Sequence, residues 1–94
     1  MSRESKTLRR TRVKICGVTT PEGAASAIEL GVDALGLNFF PSSSRYISVE
    51  QALEISKVAH PFVTLVGLFV DAQHEEVEKV IDEVPLALLQ FHGN

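Results

Sequence analysis

Residues 34–40 read Ala34-Leu35-Gly36-Leu37-Asn38-Phe39-Phe40, and the two faces of this run differ in kind. Successive side chains of an extended strand point to opposite sides, so Leu35, Leu37 and Phe39 form one set and Ala34, Gly36 and Asn38 the other. The first set suits packing beneath helices. The second is small and turns polar toward the end of the strand. An open sheet covered by helices on both faces needs apolar residues on both sides of its inner strands. This strand instead predicts a wall with helices on one side and a lumen on the other.

Three more β-type runs, at residues 13–16, 64–70 and 86–92, alternate with helical segments. Such alternation predicts βαβ units and a parallel sheet. The first helix is punctuated by Thr20 as N-cap, Pro21 at the first helical position and Gly31 as the stop, with Ala24, Ala27 and Ile28 facing inward. The second opens on a capping box, Ser48-Val49-Glu50-Gln51, ends before Pro61 and buries Ala52, Ile55 and Ala59 or Val58. The third runs from about His74 to Val84 and presents Val77, Val80, Ile81 and Val84. The order is β-α-β-α-β-α-β. Right-handed crossovers leave two architectures, an open doubly wound sheet or part of a (β/α)8 barrel, and the polar inner face favours the barrel. The last run agrees, with Leu89 and Phe91 opposed to Leu88, Gln90 and His92.

Ligands of such folds bind beyond the carboxyl ends of the strands. Pooling the lumen-face residues there gives Cys16 with Lys14 below it, then Asn38, Asp71 and His92. Cys16 is the only cysteine, delivered by a short strand to the turn before the first helix. Its competing role is a buried structural thiol, since free cysteines are among the most buried residues. Asp71 has the alternative of capping the third helix.

The 94 residues fit one small domain. Residues 1–12 hold five basic side chains against Glu4, a net +4, which leaves −7 on the rest of a chain whose total is −3. This basic stretch is expected to be a flexible, solvated tail ahead of a domain at 13–94. The acidic body argues against nucleic acid, and no apolar run is long enough to span a bilayer. A single cysteine favours a reducing compartment, and the chain is taken as cytoplasmic. No glycine-rich nucleotide loop follows the first strand, the cysteine has no Cys-x-x-Cys partner, and His60, His74 and His92 are not spaced as metal ligands.

Five segments, in order, are similar to phosphoribosylanthranilate isomerases of tryptophan biosynthesis. They are Lys14-Ile15-Cys16-Gly17-Val18-Thr19, the run from Gly31 through Asn38 to Phe39, Ser44-Arg45-Tyr46-Ile47, Val66-Gly67-Leu68-Phe69-Val70, and Leu89-Gln90-Phe91-His92-Gly93. Departures are slight, such as Phe91 where leucine is commoner. The resemblance implies a (β/α)8 barrel and an Amadori rearrangement of a small phosphorylated aldose amine to an aminodeoxyketose. It implies no metal or organic cofactor, because the substrate's own imine is the electron sink. It gives Cys16 the role of general base, Arg45 that of binding the substrate's carboxylate, and His92 a further substrate contact. An ordinary thiol is only a few per cent thiolate at neutral pH, so Lys14 is expected to help if it shares the lumen.

The family's catalytic acid is an aspartate on a later strand, and its phosphate site follows the seventh and eighth strands. A barrel of this kind needs at least about 200 residues. The chain is therefore expected to be an amino-terminal half, inactive alone, which self-associates or pairs with the carboxyl-terminal half. The alternatives are a non-catalytic half-barrel interaction or assembly module and an open, flavodoxin-like domain.

Overall fold

A computed structural model of the chain describes residues 12–92, so all of the basic segment except Arg12 lies outside the described residues. Seven elements follow in order: β1 (Lys14–Cys16), α1 (Pro21–Glu29), β2 (Ala34–Asn38), α2 (Val49–Ala59), β3 (Thr64–Val70), α3 (His74–Glu83) and β4 (Leu88–His92). The four strands form one parallel sheet in the order β1-β2-β3-β4. A doubly wound sheet reverses its strand order at a switch point, whereas a barrel wall is laid down strand after strand. The observed order, without reversal, is that of a barrel wall and removes the flavodoxin-like alternative.

The helix ends are made by the residues the sequence nominated. Thr20 Oγ1 accepts from the Gly23 N–H at 2.9 Å, and Gly31 leaves α1 in a left-handed conformation at φ +86°. Ser48 Oγ accepts from Gln51 N–H while Gln51 Oε1 accepts from Ser48 N–H, a reciprocal box that holds two otherwise unpaired donors. At α3 the Glu76 carboxylate accepts from the N–H of Gln73, the N-cap. Asp71 does not cap this helix. It takes a left-handed turn conformation, φ +49°, and its N–H donates to the His92 carbonyl.

The core lies between the helices and the outer face of the sheet. Leu35, Leu37, Leu65 and Phe69 from the strands meet Ala24, Ala27, Ala52, Ile55, Ala59, Val77, Val80 and Val84, all buried. Removing each large side chain from water contributes roughly 1.5–3 kcal/mol. Of the two candidates at the end of α2, Ala59 faces the core and Val58 is exposed. Ile28 is only partly buried. Ile81 corrects the expected α3 stripe, being 43% exposed, because Val77, Val80 and Val84 already turn the helix so that position 81 falls on its flank.

Three strands are shorter than the apolar runs that predicted them, β1 by Val13 alone and β2 and β4 by two residues each. β4 begins at Leu88, because the Leu86 N–H closes a tight turn onto the Val84 carbonyl. The Leu86 side chain occupies the space over Gly67, where a Cβ would come within 2.7 Å of its Cδ1. β2 ends at Asn38, whose Oδ1 accepts from Phe40 N–H at 2.8 Å and turns the backbone away. Among the described residues, no helix is long and apolar enough to cross a membrane.

Candidate active site

Cys16 ends β1 opposite Gly36 of β2. The pairing requires a glycine: a Cβ at Gly36 would sit 3.1 Å from Cys16 Cα and 3.3 Å from its Sγ. The chain then turns at Gly17, φ +79°, a region that favours glycine. The N–H groups of Gly17 and Val18 both donate to the Gly36 carbonyl, at 3.0 and 3.2 Å. This short, pinned loop leads directly into the Thr20 cap. The thiol is free and, among the described residues, exposed.

Arg45 arrives from the loop after β2. Ser43 shapes that loop, its N–H donating to the Phe40 carbonyl, its hydroxyl accepting from Arg45 N–H and its carbonyl accepting from Tyr46 N–H. The loop is anchored where Ile47 N–H donates to the Asn38 carbonyl and the Ile47 side chain is fully buried. From this base the guanidinium reaches across to the first loop, Nη1 donating to the Gly17 carbonyl at 3.1 Å. Only one of the five donors of a guanidinium is used in that bond.

Cys16 and Arg45 line one cleft of about 280 Å³, with Gly36, Asn38, Leu68 and Gln90 completing most of its wall. Strand alternation puts Gln90 on the lumen face without marking it as a site residue, and the structure brings it to the cleft wall. It faces the cleft and also accepts a 2.6 Å hydrogen bond from Lys14 Nζ through its Oε1. Lys14 therefore shares the lumen with Cys16, but its ammonium is bonded to the amide of β4. An ammonium can only donate, so the amide must present its oxygen to Lys14.

The register explains which expected residues stay outside. Cys16 lies in a row with Gly36, Val66 and Leu88, Gln90 belongs to the next row, and His92 to the row beyond that, opposite Val70. His92 stands at the carboxyl end of β4 but does not line the cleft of Cys16 and Arg45. Asp71, joined to His92 through its backbone, lines a separate cleft of about 420 Å³ between the loops after β2 and β3. A third cleft, of about 400 Å³, lies around Asp33, Phe62 and Leu86, near the amino-terminal ends of β3 and β4. No carboxylate lines the Cys16 cleft among the described residues.

A sequence profile described as N-(5'-phosphoribosyl)anthranilate (PRA) isomerase matches residues 13–94. The N-(5'-phosphoribosyl)anthranilate isomerase of Ralstonia pickettii is 52% identical over 87 residues, a match that covers 93% of this chain and 37% of that protein. Among solved structures, a phosphoribosyl anthranilate isomerase in complex with reduced 1-(o-carboxyphenylamino)-1-deoxyribulose 5-phosphate superposes with a TM-score of 0.85 and 46% identity, over 90% of this chain and 44% of that one. The enzyme from Thermotoga maritima superposes equally well, at 0.85 and 46%, over 90% of this chain and 42% of its own. These neighbours are (β/α)8 barrels. The chain thus spans roughly two-fifths of the length of the relatives it matches.

Proposed function

The chain belongs to the N-(5'-phosphoribosyl)anthranilate isomerase family, and on that premise we propose that residues 13–94 form the amino-terminal half-barrel of an enzyme for the Amadori rearrangement in tryptophan biosynthesis. Its substrate is N-(5-phosphoribosyl)anthranilate and its product 1-(2-carboxyphenylamino)-1-deoxyribulose 5-phosphate. The observation that carries this reading is the convergence of Cys16, at the end of β1, and Arg45, from the loop after the adjacent β2, on one cleft.

The reaction needs a proton delivered to the furanose ring oxygen, which opens the sugar to a protonated imine, and a proton removed from C2. In our assignment the Cys16 thiolate takes the C2 proton and becomes a thiol, while the electron pair flows into the imine to give an enolamine. The enolamine tautomerises to the ketone. Positioned proton transfer of this kind contributes roughly 10²- to 10⁴-fold. Arg45 binds the anthranilate carboxylate, where a planar guanidinium can place two parallel hydrogen bonds. His92 contacts the substrate further along β4. The acid and the phosphate-binding loops come from the rest of the barrel, a division supported by the absence of any carboxylate in the cleft wall among the described residues. We place the enzyme in the cytoplasm, where reducing conditions keep Cys16 a free thiol.

The test pairs the 94-residue chain with the carboxyl-terminal portion of the Ralstonia pickettii relative and assays isomerase turnover. The chain alone is expected to be inactive, and the pair active. Cys16→Ala is expected to lower turnover of the pair by about 10²-fold or more. Unchanged turnover would remove Cys16 from the role of base, and rescue of an isomerase-deficient tryptophan auxotroph by the chain alone would show that no further half is needed.

A further inference from the structure

The cleft that holds Cys16 and Arg45 has two amide side chains in its wall, Asn38 and Gln90, which share one row of the sheet through Leu68. Asn38 folds back on its own chain, its Oδ1 accepting from Phe40 N–H two residues on. Gln90 has the longer stem, and its Oε1 is taken by Lys14 Nζ at 2.6 Å. An ammonium has three donors and no acceptor, so this bond decides which way round the amide stands. The oxygen turns to Lys14, and the NH2 group, with two donors, turns away from it. Among the described residues that group has no acceptor on the protein.

Lys14 lies two residues before Cys16 on β1 and on the same face, yet it is not part of the cleft wall. Its ammonium meets the cleft only through the Gln90 amide.

The chemistry of the reaction names the acceptor. A thiolate that removes the C2 proton lies against C2, and the oxygen on C2 is one bond away. The substrate's carboxylate is matched to Arg45, and its phosphate to loops outside this chain. The C2 oxygen is then the polar atom of the reacting centre still without a partner in the cleft. A neutral amide donor suits it, because this oxygen goes from hydroxyl through enol to ketone and accepts a hydrogen bond at each stage. A donor fixed there also orients the C2–H toward the thiolate.

We propose that Gln90 donates from Nε2 to the C2 oxygen of the substrate, and that Lys14 is a positioning residue that holds the amide with its donors toward the cleft. The identity of the acceptor rests on the isomerase reading above. Without Lys14 the amide is free to turn its own oxygen into the cleft, where it would oppose the lone pairs of the C2 oxygen.

Ligand binding tests this apart from turnover. The chain, paired with the carboxyl-terminal portion of the Ralstonia pickettii relative, is titrated with two unreactive compounds: the reduced product, which carries a hydroxyl on C2, and its counterpart with no oxygen on C2. The hydroxyl compound is expected to bind about fivefold more tightly, the worth of one net hydrogen bond. Gln90→Leu and Lys14→Met are each expected to bring the ratio close to one, and Lys14→Arg, which still donates, to keep it. In the turnover assay Lys14→Met should lower kcat/KM, and combined with Gln90→Leu it should lower it no further than Gln90→Leu alone. A pair of residues that only braced the strands would weaken both compounds alike and leave the ratio in place, which would overturn the proposal. So would a ratio of one before any substitution, a ratio lost in Gln90→Leu but kept in Lys14→Met, or single effects on kcat/KM that multiply in the double variant. An inactive pair that still separates the two compounds, and loses that separation in Gln90→Leu, would overturn the isomerase reading while supporting the Gln90 donor.

Discussion

Lys14 Nζ donates a 2.6 Å hydrogen bond to Gln90 Oε1, tying the first strand to the fourth across the concave face of the sheet. The two residues are 76 positions apart, and neither strand is hydrogen-bonded to the other through its backbone. The bond ties the curvature of the wall to the cleft, because Gln90 lines the cleft that holds Cys16 and Arg45.

The pair is expected to act as a unit. In a double-mutant cycle of Lys14→Met and Gln90→Leu, urea unfolding should show a coupling energy of about 0.5–1.5 kcal/mol, the range for one net hydrogen bond. Both residues are exposed, so the lower end of that range is expected. Additive single effects would mean that the contact contributes nothing to the curvature it spans.

Much of this organisation was legible because its signals are local. Thr20, Pro21, Gly31 and the Ser48–Gln51 box act within a few residues of themselves, and each does in the structure what its chemistry predicts. Strand alternation also placed Cys16, Asn38 and Gln90 on one face. What could not be read was settled by packing at long range. Leu86 has the composition of a strand residue, but the gap above Gly67 draws its side chain away. The bond from Arg45 to the Gly17 carbonyl depends on how two loops meet, and nothing in either loop's sequence states it. His92 shares the lumen parity of Gln90, and only the register across the sheet shows that it stands two rows beyond Cys16.

Gly36→Ala is expected to disturb the thiol directly. The added methyl would lie 3.1 Å from the Cys16 Cα and 3.3 Å from Sγ, and the backbone contact cannot be relieved by a rotamer change. Overpacking of this kind costs about 1–3 kcal/mol. Because Cys16 is the only cysteine, alkylation by iodoacetamide followed by mass spectrometry reads its environment without interference. The expected result is a lower urea midpoint together with slower alkylation.

Gly17→Ala and Gly31→Ala separate backbone strain from site geometry. Both glycines have positive φ, at +79° and +86°, so each alanine costs about 1 kcal/mol or more in strain. A Cβ at Gly31 meets nothing within 4 Å, whereas one at Gly17 lies 3.1 Å from Arg45 Cγ and 3.4 Å from Nη1. Gly31→Ala should therefore lower stability alone. Gly17→Ala should lower it by more and, in the paired isomerase assay, raise KM as the guanidinium is displaced.

Val80→Ala and Ile81→Ala give the sharpest comparison of pattern with placement, since they are neighbours on α3 and both satisfy a helical apolar spacing. Val80 is 7% exposed and Ile81 43%. Both substitutions replace a β-branched residue with alanine, so the gain in helix propensity is similar and drops out of the difference. What remains is burial. Val80→Ala is expected to cost about 2 kcal/mol, through lost transfer energy and a cavity against the sheet, while Ile81→Ala should stay within about 0.5 kcal/mol. Unfolding should be followed at one protein concentration, because association would otherwise add to the apparent stability. Equal losses would mean that Ile81 is covered by something in solution, and the most direct source of such cover is a neighbouring chain.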